Sequence, residues 1–219
     1  MAVMELALLH IRTGEPLSAR PGRLTDTLRA AQRAQAAFSG YPVHLYTQDE
    51  DPSYIYLVGA WDSVGEHLGT WIPSRENQEL LSALQDEIEV LWMFHVEEID
   101  FGLLGVNLGI APAEKTKNHN APVGAPEGEI LTRISFRRYL INEGAEREAI
   151  SLLRARLATI VASSRRTGVL VGWRIEREDD GRELVLLVGG AASSEMQEST
   201  GLEQLIRTEE VKCGTLLDA

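Results

Sequence analysis

Tyr54-Ile55-Tyr56-Leu57-Val58-Gly59-Ala60-Trp61 is an aromatic and β-branched run, and Leu184 to Gly189 carries the related Leu187-Val188-Gly189, followed by Gly190. Each run is the second arm of a hairpin. Val43 to Gln48 leads into the first across Asp49-Glu50-Asp51-Pro52-Ser53, and Val169 to Ile175 leads into the second across Asp179-Asp180-Gly181. Outward from the hairpins the order keeps matching. Leu24 to Phe38 has apolar or small residues at helical spacing and stops at Gly40, while Glu146 to Val161 carries Ile150, Leu153, Leu157 and Ile160 on one stripe. Met4 to Arg12 and Ile130 to Arg138 open the two halves as strands; Val90 to Ile99 and Val211 to Leu217 close them. Ser74 is a good N-cap for a helix with Asn77, Leu81, Leu84 and Ile88 on one side, and a shorter helix is expected within 194–209.

Leu-Val-Gly is a common triplet, so the residue match gains weight from the matching element order. Each half reads as βαββαβ, and the expectation is an α+β protein of tandem ferredoxin-like units. The first occupies residues 1–101 and the second 129–219, with a Gly-, Pro-, Asn- and Ala-rich linker over 102–128. A four-stranded unit of this kind leaves one sheet face open. Here Ala7, Leu9 and Ile11 oppose Leu6, Leu8 and His10, so both faces are largely apolar. The open faces are therefore expected to pack together as an α+β barrel closed within one chain, helices outside, with an interior able to hold a small ligand.

Composition narrows the function. The chain has 219 residues, 44% hydrophobic content, a mean hydropathy of -0.12 and a net charge of -12. That acidity disfavours nucleic acid and anionic membrane surfaces as partners. One cysteine, Cys213, supplies neither an intrachain disulfide nor a thiolate cluster. Glu5 and His10 interrupt the apolar N-terminal run, which lacks a basic segment and does not read as a signal peptide, and a cytoplasmic protein is expected. No dinucleotide fingerprint, phosphate loop or nucleophile elbow is found. The histidines have no compact metal spacing, so no metal or other cofactor is expected.

Trp61-Asp62-Ser63-x-x-x-His67-Leu68-x-x-Trp71-Ile72-x-Ser74 resembles the segment after the third strand in antibiotic-biosynthesis-monooxygenase domains of the dimeric α+β barrel superfamily. Most members build the barrel by dimerising; this chain resembles the duplicated form. The superfamily spans cofactor-free oxygenases, haem-degrading enzymes, cyclases, isomerases and decarboxylases. The haem-degrading relatives use an Asn on the first strand and a His on the second helix. Strand one here has no Asn and the 76–81 region no His, which demotes that activity.

His67, at the expected barrel mouth, is the first candidate for a general base, and Trp71, at the family's ligand-contacting position, for substrate positioning. His10 and Arg133 are expected to form a polar cluster for an oxyanion. Trp61 reads first as core and second as a substrate contact; Tyr46 and Trp173 read equally as strand aromatics or pocket walls, and His44, on the face of Tyr46, is a lesser candidate for ligand contact. Aligning the halves through Leu-Val-Gly pairs Trp61 with Ala191 and His67 with Gln197 and leaves Trp71 without a counterpart, so chemistry is expected in the first half's pocket. The leading expectation is cofactor-independent monooxygenation of an aromatic or polyketide-like intermediate of secondary metabolism, by a monomer or homodimer. The alternatives are non-oxidative cyclisation or isomerisation, and a non-catalytic ligand-binding or stress-related barrel.

Overall fold

β1 (Val3–Ile11) is buried at every position but one, as a strand apolar on both faces requires. The computed structural model describes residues 2–20, 22–98, 132–163, 167–177, 181–190 and 204–217. The expected linker 102–128 and most of the expected last helix lie outside them.

After β1 come a 3-10 turn (Leu17–Ala19) and α1 (Arg23–Ser39), which ends at Gly40 in the left-handed region, φ 77°. β2 (His44–Gln48) and β3 (Tyr54–Trp61) form the first hairpin. A short α2 (Val64–Glu66) runs into a π-turn (His67–Trp71), then α3 (Arg75–Leu84) and β4 (Ile88–Glu98). β5 (Arg133–Ile141), α4 (Glu146–Ser163), β6 (Thr167–Arg174), β7 (Arg182–Gly190) and β8 (Ile206–Leu216) follow. Ser74 caps α3 as expected, its hydroxyl accepting from the Asn77 N–H at 3.2 Å. Ile88, however, starts β4, and Leu81 is exposed.

The protein is an α+β fold around one closed antiparallel barrel, in the order β1-β3-β2-β8-β5-β7-β6-β4. Strands of the first half are contiguous, as are those of the second. The blocks meet at two seams, β2 with β8 and β4 with β6. At the second seam Gly172 lies opposite Glu98, and a Cβ there would stand 2.4 Å from the Glu97 carbonyl oxygen. Among the described residues no helix is long and apolar enough to cross a membrane.

Among the described residues the barrel interior holds an apolar core. Leu6, Tyr56, Phe94, Phe136 and Leu187 pack there with other aliphatic and aromatic side chains. Arg138 enters the same space, paired with Glu183 and, at 3.1 Å, with Glu210, its guanidinium 5.2 Å from the Trp92 ring centre. An eight-stranded barrel is just wide enough for side chains to fill. Outside the wall, α1 and α3 cover one apolar layer (Ala7, Leu9, Ile11, Leu45, Ile55), and α4 covers another (Tyr139, Leu153, Leu157, Leu186, Val188).

The residue match between halves is also out of phase. Val58 and Leu187 both face the interior, whereas Leu57 faces the α1 layer, so pairing Leu57 with Leu187 joins opposite sheet faces. A slip of one residue inverts every side chain of a strand. Ala191 and Gln197, which that alignment sets against Trp61 and His67, lie outside the described residues.

Candidate functional site

A cavity of about 520 Å³ lies outside the barrel wall, between β1 and the helices α1 and α3. Ala7, Leu9 and Leu57 line its floor, Leu28 and Gln35 of α1 and Leu80 and Leu84 of α3 its walls, and Trp71 and His67 one end. This size and apolar character suit a small, flat organic molecule. It lies in the first half, where chemistry was expected, but in a different layer.

Glu5 is the exceptional residue. Strand alternation puts it on the same face as Ala7 and Leu9, and it is buried. Its Oε2 accepts from Gln35 Nε2 at 2.5 Å and from Trp61 Nε1 at 2.7 Å. Gly59, directly across in β3, leaves room for this: a Cβ there would lie 3.0 Å from Gln35 Nε2. Burial raises the Glu5 carboxyl to about 7, against the opposing pull of the Trp61 and Gln35 hydrogen bonds. A carboxyl poised near neutrality can both take and return a proton.

Its other oxygen, Oε1, faces His67 Nε2 at 3.7 Å. Ser63 starts the turn that presents His67, its hydroxyl accepting from the Glu66 N–H at 3.1 Å. The π-turn then bonds Ile72 N–H to the His67 carbonyl at 2.9 Å. Its wider winding buries His67 and Trp71 together while Leu68, Gly69 and Thr70 stay exposed. The His67 ring lies flat on Trp61, with centroids 4.3 Å apart and an interplanar angle of 6°. Burial, and then the neighbouring His95, push His67 down to about 3, with Glu176 pulling the other way, so His67 is neutral.

His67 Nδ1 is 2.8 Å from His95 Nε2, and His95 Nδ1 is 2.5 Å from Glu176 Oε1. His95 is the β4 partner of Glu5 in the sheet register. Glu176, just past β6, also accepts the His95 backbone N–H at 2.7 Å. Burial pushes the Glu176 carboxyl up, but its bonds from the His95 backbone and ring outweigh that and leave it below the usual range. His67, His95 and Glu176 thus form one hydrogen-bonded series that runs to the protein surface, with Glu5 at the cavity 3.7 Å from its inner end.

The structure brings together some of the anticipated residues and separates others. His67 and Trp71 line the cavity, and Trp61 binds Glu5 from behind. His10 stacks on Tyr54 at 4.6 Å on the barrel's inner side, and Tyr46 is part of the interior core, with His44 beside it. Arg133 points outward, 62% exposed, and binds Asp49 Oδ2 at 2.6 Å. Because β1 and β5 stand on opposite sides of the barrel, His10 and Arg133 form no cluster. Trp173 packs on the α4 layer under Arg182, 4.4 Å away. Reading the sequence missed Glu5, Gln35 and Glu176 and gave His95 no distinct role. A carboxylate within an otherwise apolar strand was the available signal, since such a residue is almost never buried without partners.

Neither a protein-family model nor a curated protein matches the sequence. Solved structures do. A candidate monooxygenase from Fusobacterium nucleatum superposes with a TM-score of 0.60 at 8% identity, over 99% of this chain and 93% of that one. An anthrone oxidase-like protein gives 0.57 at 10%, over 99% and 92%. A haem-binding protein from Thermus thermophilus gives 0.57 at 12%, over 99% and 91%. Chlorite dismutases are similar as well. At these identities the likeness shows the fold alone: an α+β barrel shared by monooxygenase-like and chlorite dismutase-like proteins.

Haem does not fit this cavity. Haem iron takes an imidazole, thiolate, phenolate or paired thioether as axial ligand. The one imidazole here, His67, is bonded through Nδ1 to His95 and faces Glu5 through Nε2, and Met93 has no imidazole to pair with it. Among the described residues no three His, Cys, Asp or Glu side chains converge to hold a metal ion.

Proposed function

We propose that this protein is a cofactor-independent oxygenase for an aromatic, polyketide-like substrate, with Glu5 as its general base. The observation that carries this reading is a buried carboxyl held near neutral pH at an apolar cavity able to take a fused ring system. Glu5 Oε1 removes a proton from a ring methylene made acidic by its neighbours. The carbanion passes one electron to dioxygen, and the resulting radical pair combines through a new C–O bond. The hydroperoxide then loses its second C–H proton and its outer oxygen. In balance, one ring methylene and one dioxygen become one ring ketone and one water. Gln35 and Trp61 hold the carboxyl in place, and Trp71 forms an aromatic end wall against which a ring can lie.

The likeness to an anthrone oxidase-like protein supports anthrone as the first probe. Oxygen uptake with anthrone in wild type, and its loss by a factor of about 10²–10⁴ in Glu5→Gln, is the expected result. Glu5→Gln turning over at the wild-type rate would overturn the assignment. Base-catalysed exchange of the methylene protons without oxygen uptake would instead indicate the non-oxidative isomerase or cyclase reading, which needs the same base. We also read the β4-β1-β3-β2 and β6-β7-β5-β8 blocks as paired ferredoxin-like units of the antibiotic-biosynthesis-monooxygenase type, spanning 1–101 and 129–219. The matching strand order supports this.

A further inference from the structure

We propose that Glu176, contributed by the second half, is the outer terminus of a proton path that serves the cavity through Glu5, His67 and His95. The proposal rests on Glu5 being the base and concerns how that base is discharged and reloaded. Glu5 is a buried base that accepts one proton and must then pass it on. Of its two oxygens, Oε2 is occupied by Gln35 and Trp61, and Oε1 faces His67.

From there the polar atoms lead in one direction. His67 and His95 are buried almost completely, and each places one ring nitrogen toward the cavity side and one toward the surface side. The chain ends on a carboxylate whose side chain is 35% exposed. Glu176 is fixed there from two sides, by the His95 N–H on its own Oε2 and by the Ile175 N–H bonded to the His95 carbonyl at 2.8 Å. Buried hydrogen-bond satisfaction alone would need neither a second carboxylate nor an exit to solvent.

The protons balance. With Glu176 ionised, His95 donates through Nδ1 and accepts through Nε2, so His67 donates through Nδ1 and offers a bare Nε2 to Glu5. A proton on Glu5 Oε1 passes to His67 Nε2 as His67 Nδ1 releases one to His95 Nε2. His95 Nδ1 in turn releases one to Glu176, which yields it to solvent. A shift of about 0.5–1 Å closes the 3.7 Å gap at Glu5 to hydrogen-bond length. Outward passage leaves both imidazoles in the opposite tautomer. In the oxygenation above, the departing oxygen must leave as water, so one proton returns inward and restores both rings.

The test compares Glu176→Gln, Glu176→Asp and Glu5→Gln, with anthrone as probe. In Glu176→Gln, anthrone binding followed by tryptophan fluorescence should stay within about twofold, since Glu176 does not line the cavity. Turnover should fall about tenfold or more, the solvent deuterium isotope effect should rise, and added formate should restore part of the rate. Glu176→Asp, which keeps the acid, should retain more of the rate than Glu176→Gln. Independently of turnover, the ring ¹⁵N signals of His67 should move in Glu176→Gln. Wild-type rate and isotope effect in Glu176→Gln, with Glu5→Gln inactive, overturn the path and leave the base in place. Should wild type not turn anthrone over, an unmoved His67 ¹⁵N signal in Glu176→Gln overturns the path on its own.

Discussion

The Glu5 carboxyl titrates near 4.5 when free and at about 7 when folded, and burial is the cause. Between those values the folded protein holds a proton that the unfolded chain has lost, so stability falls as pH rises through the window. The loss should reach about 3 kcal/mol above pH 7. Glu5→Gln removes it, and urea titrations from pH 5 to pH 8 should show a flatter profile than wild type. His67 contributes with the opposite sign: held neutral in the fold, it adds stability above 6.5 that is lost as pH drops toward about 3. Trp61→Phe deletes one of the two donors that pull the Glu5 carboxyl down. The acid limb of its pH–rate profile should therefore move to higher pH, at a stability cost of about 1–3 kcal/mol. At this scale His67 and Trp71 were legible, because their residue types and the turn around them are local. Glu5 was half legible: its interruption of an apolar strand was visible, but Gln35 and Trp61 reach it across separations of 30 and 56 residues. Glu176 was not legible, since an acidic hairpin gives no local sign that one member turns inward.

The π-turn decides whether His67 and Trp71 point inward together. Deleting the exposed Gly69 should return it to α-helical winding and rotate His67 off Trp61. The tryptophan near-UV circular dichroism should then weaken and cavity binding should be lost. Ser74→Ala, which removes only the α3 cap, should cost about 1 kcal/mol in chemical denaturation and leave the His67 environment unchanged. Most elements were readable: β3 and the start of α4 lie where their patterns place them, and α1 stops at Gly40 as expected. The slip between Leu57 and Leu187 has a physical origin. Period-two reading needs one polar face, and strands buried on both sides have none.

For the whole molecule, closure followed from two-faced apolar strands, and the barrel is closed. What fills its interior did not follow, because that depends on how Phe94, Phe136, Tyr56 and the Arg138 ion pairs interlock, not on how many residues are apolar. Among the described residues the β4–β6 seam has three paired positions, and Gly172 occupies one of them. Gly172→Val should force that seam apart, cost about 1–3 kcal/mol or more in thermal denaturation, and weaken the His95–Glu176 contact nearby. A barrel made of two identical chains expresses every mutation twice, once at each symmetric seam. Here the β2–β8 and β4–β6 seams are written at separate places in one gene. Selection can thus reshape the junction beside Glu176 without touching its counterpart, and a lineage can acquire a carboxylate on one side of the barrel while the other remains plain scaffold.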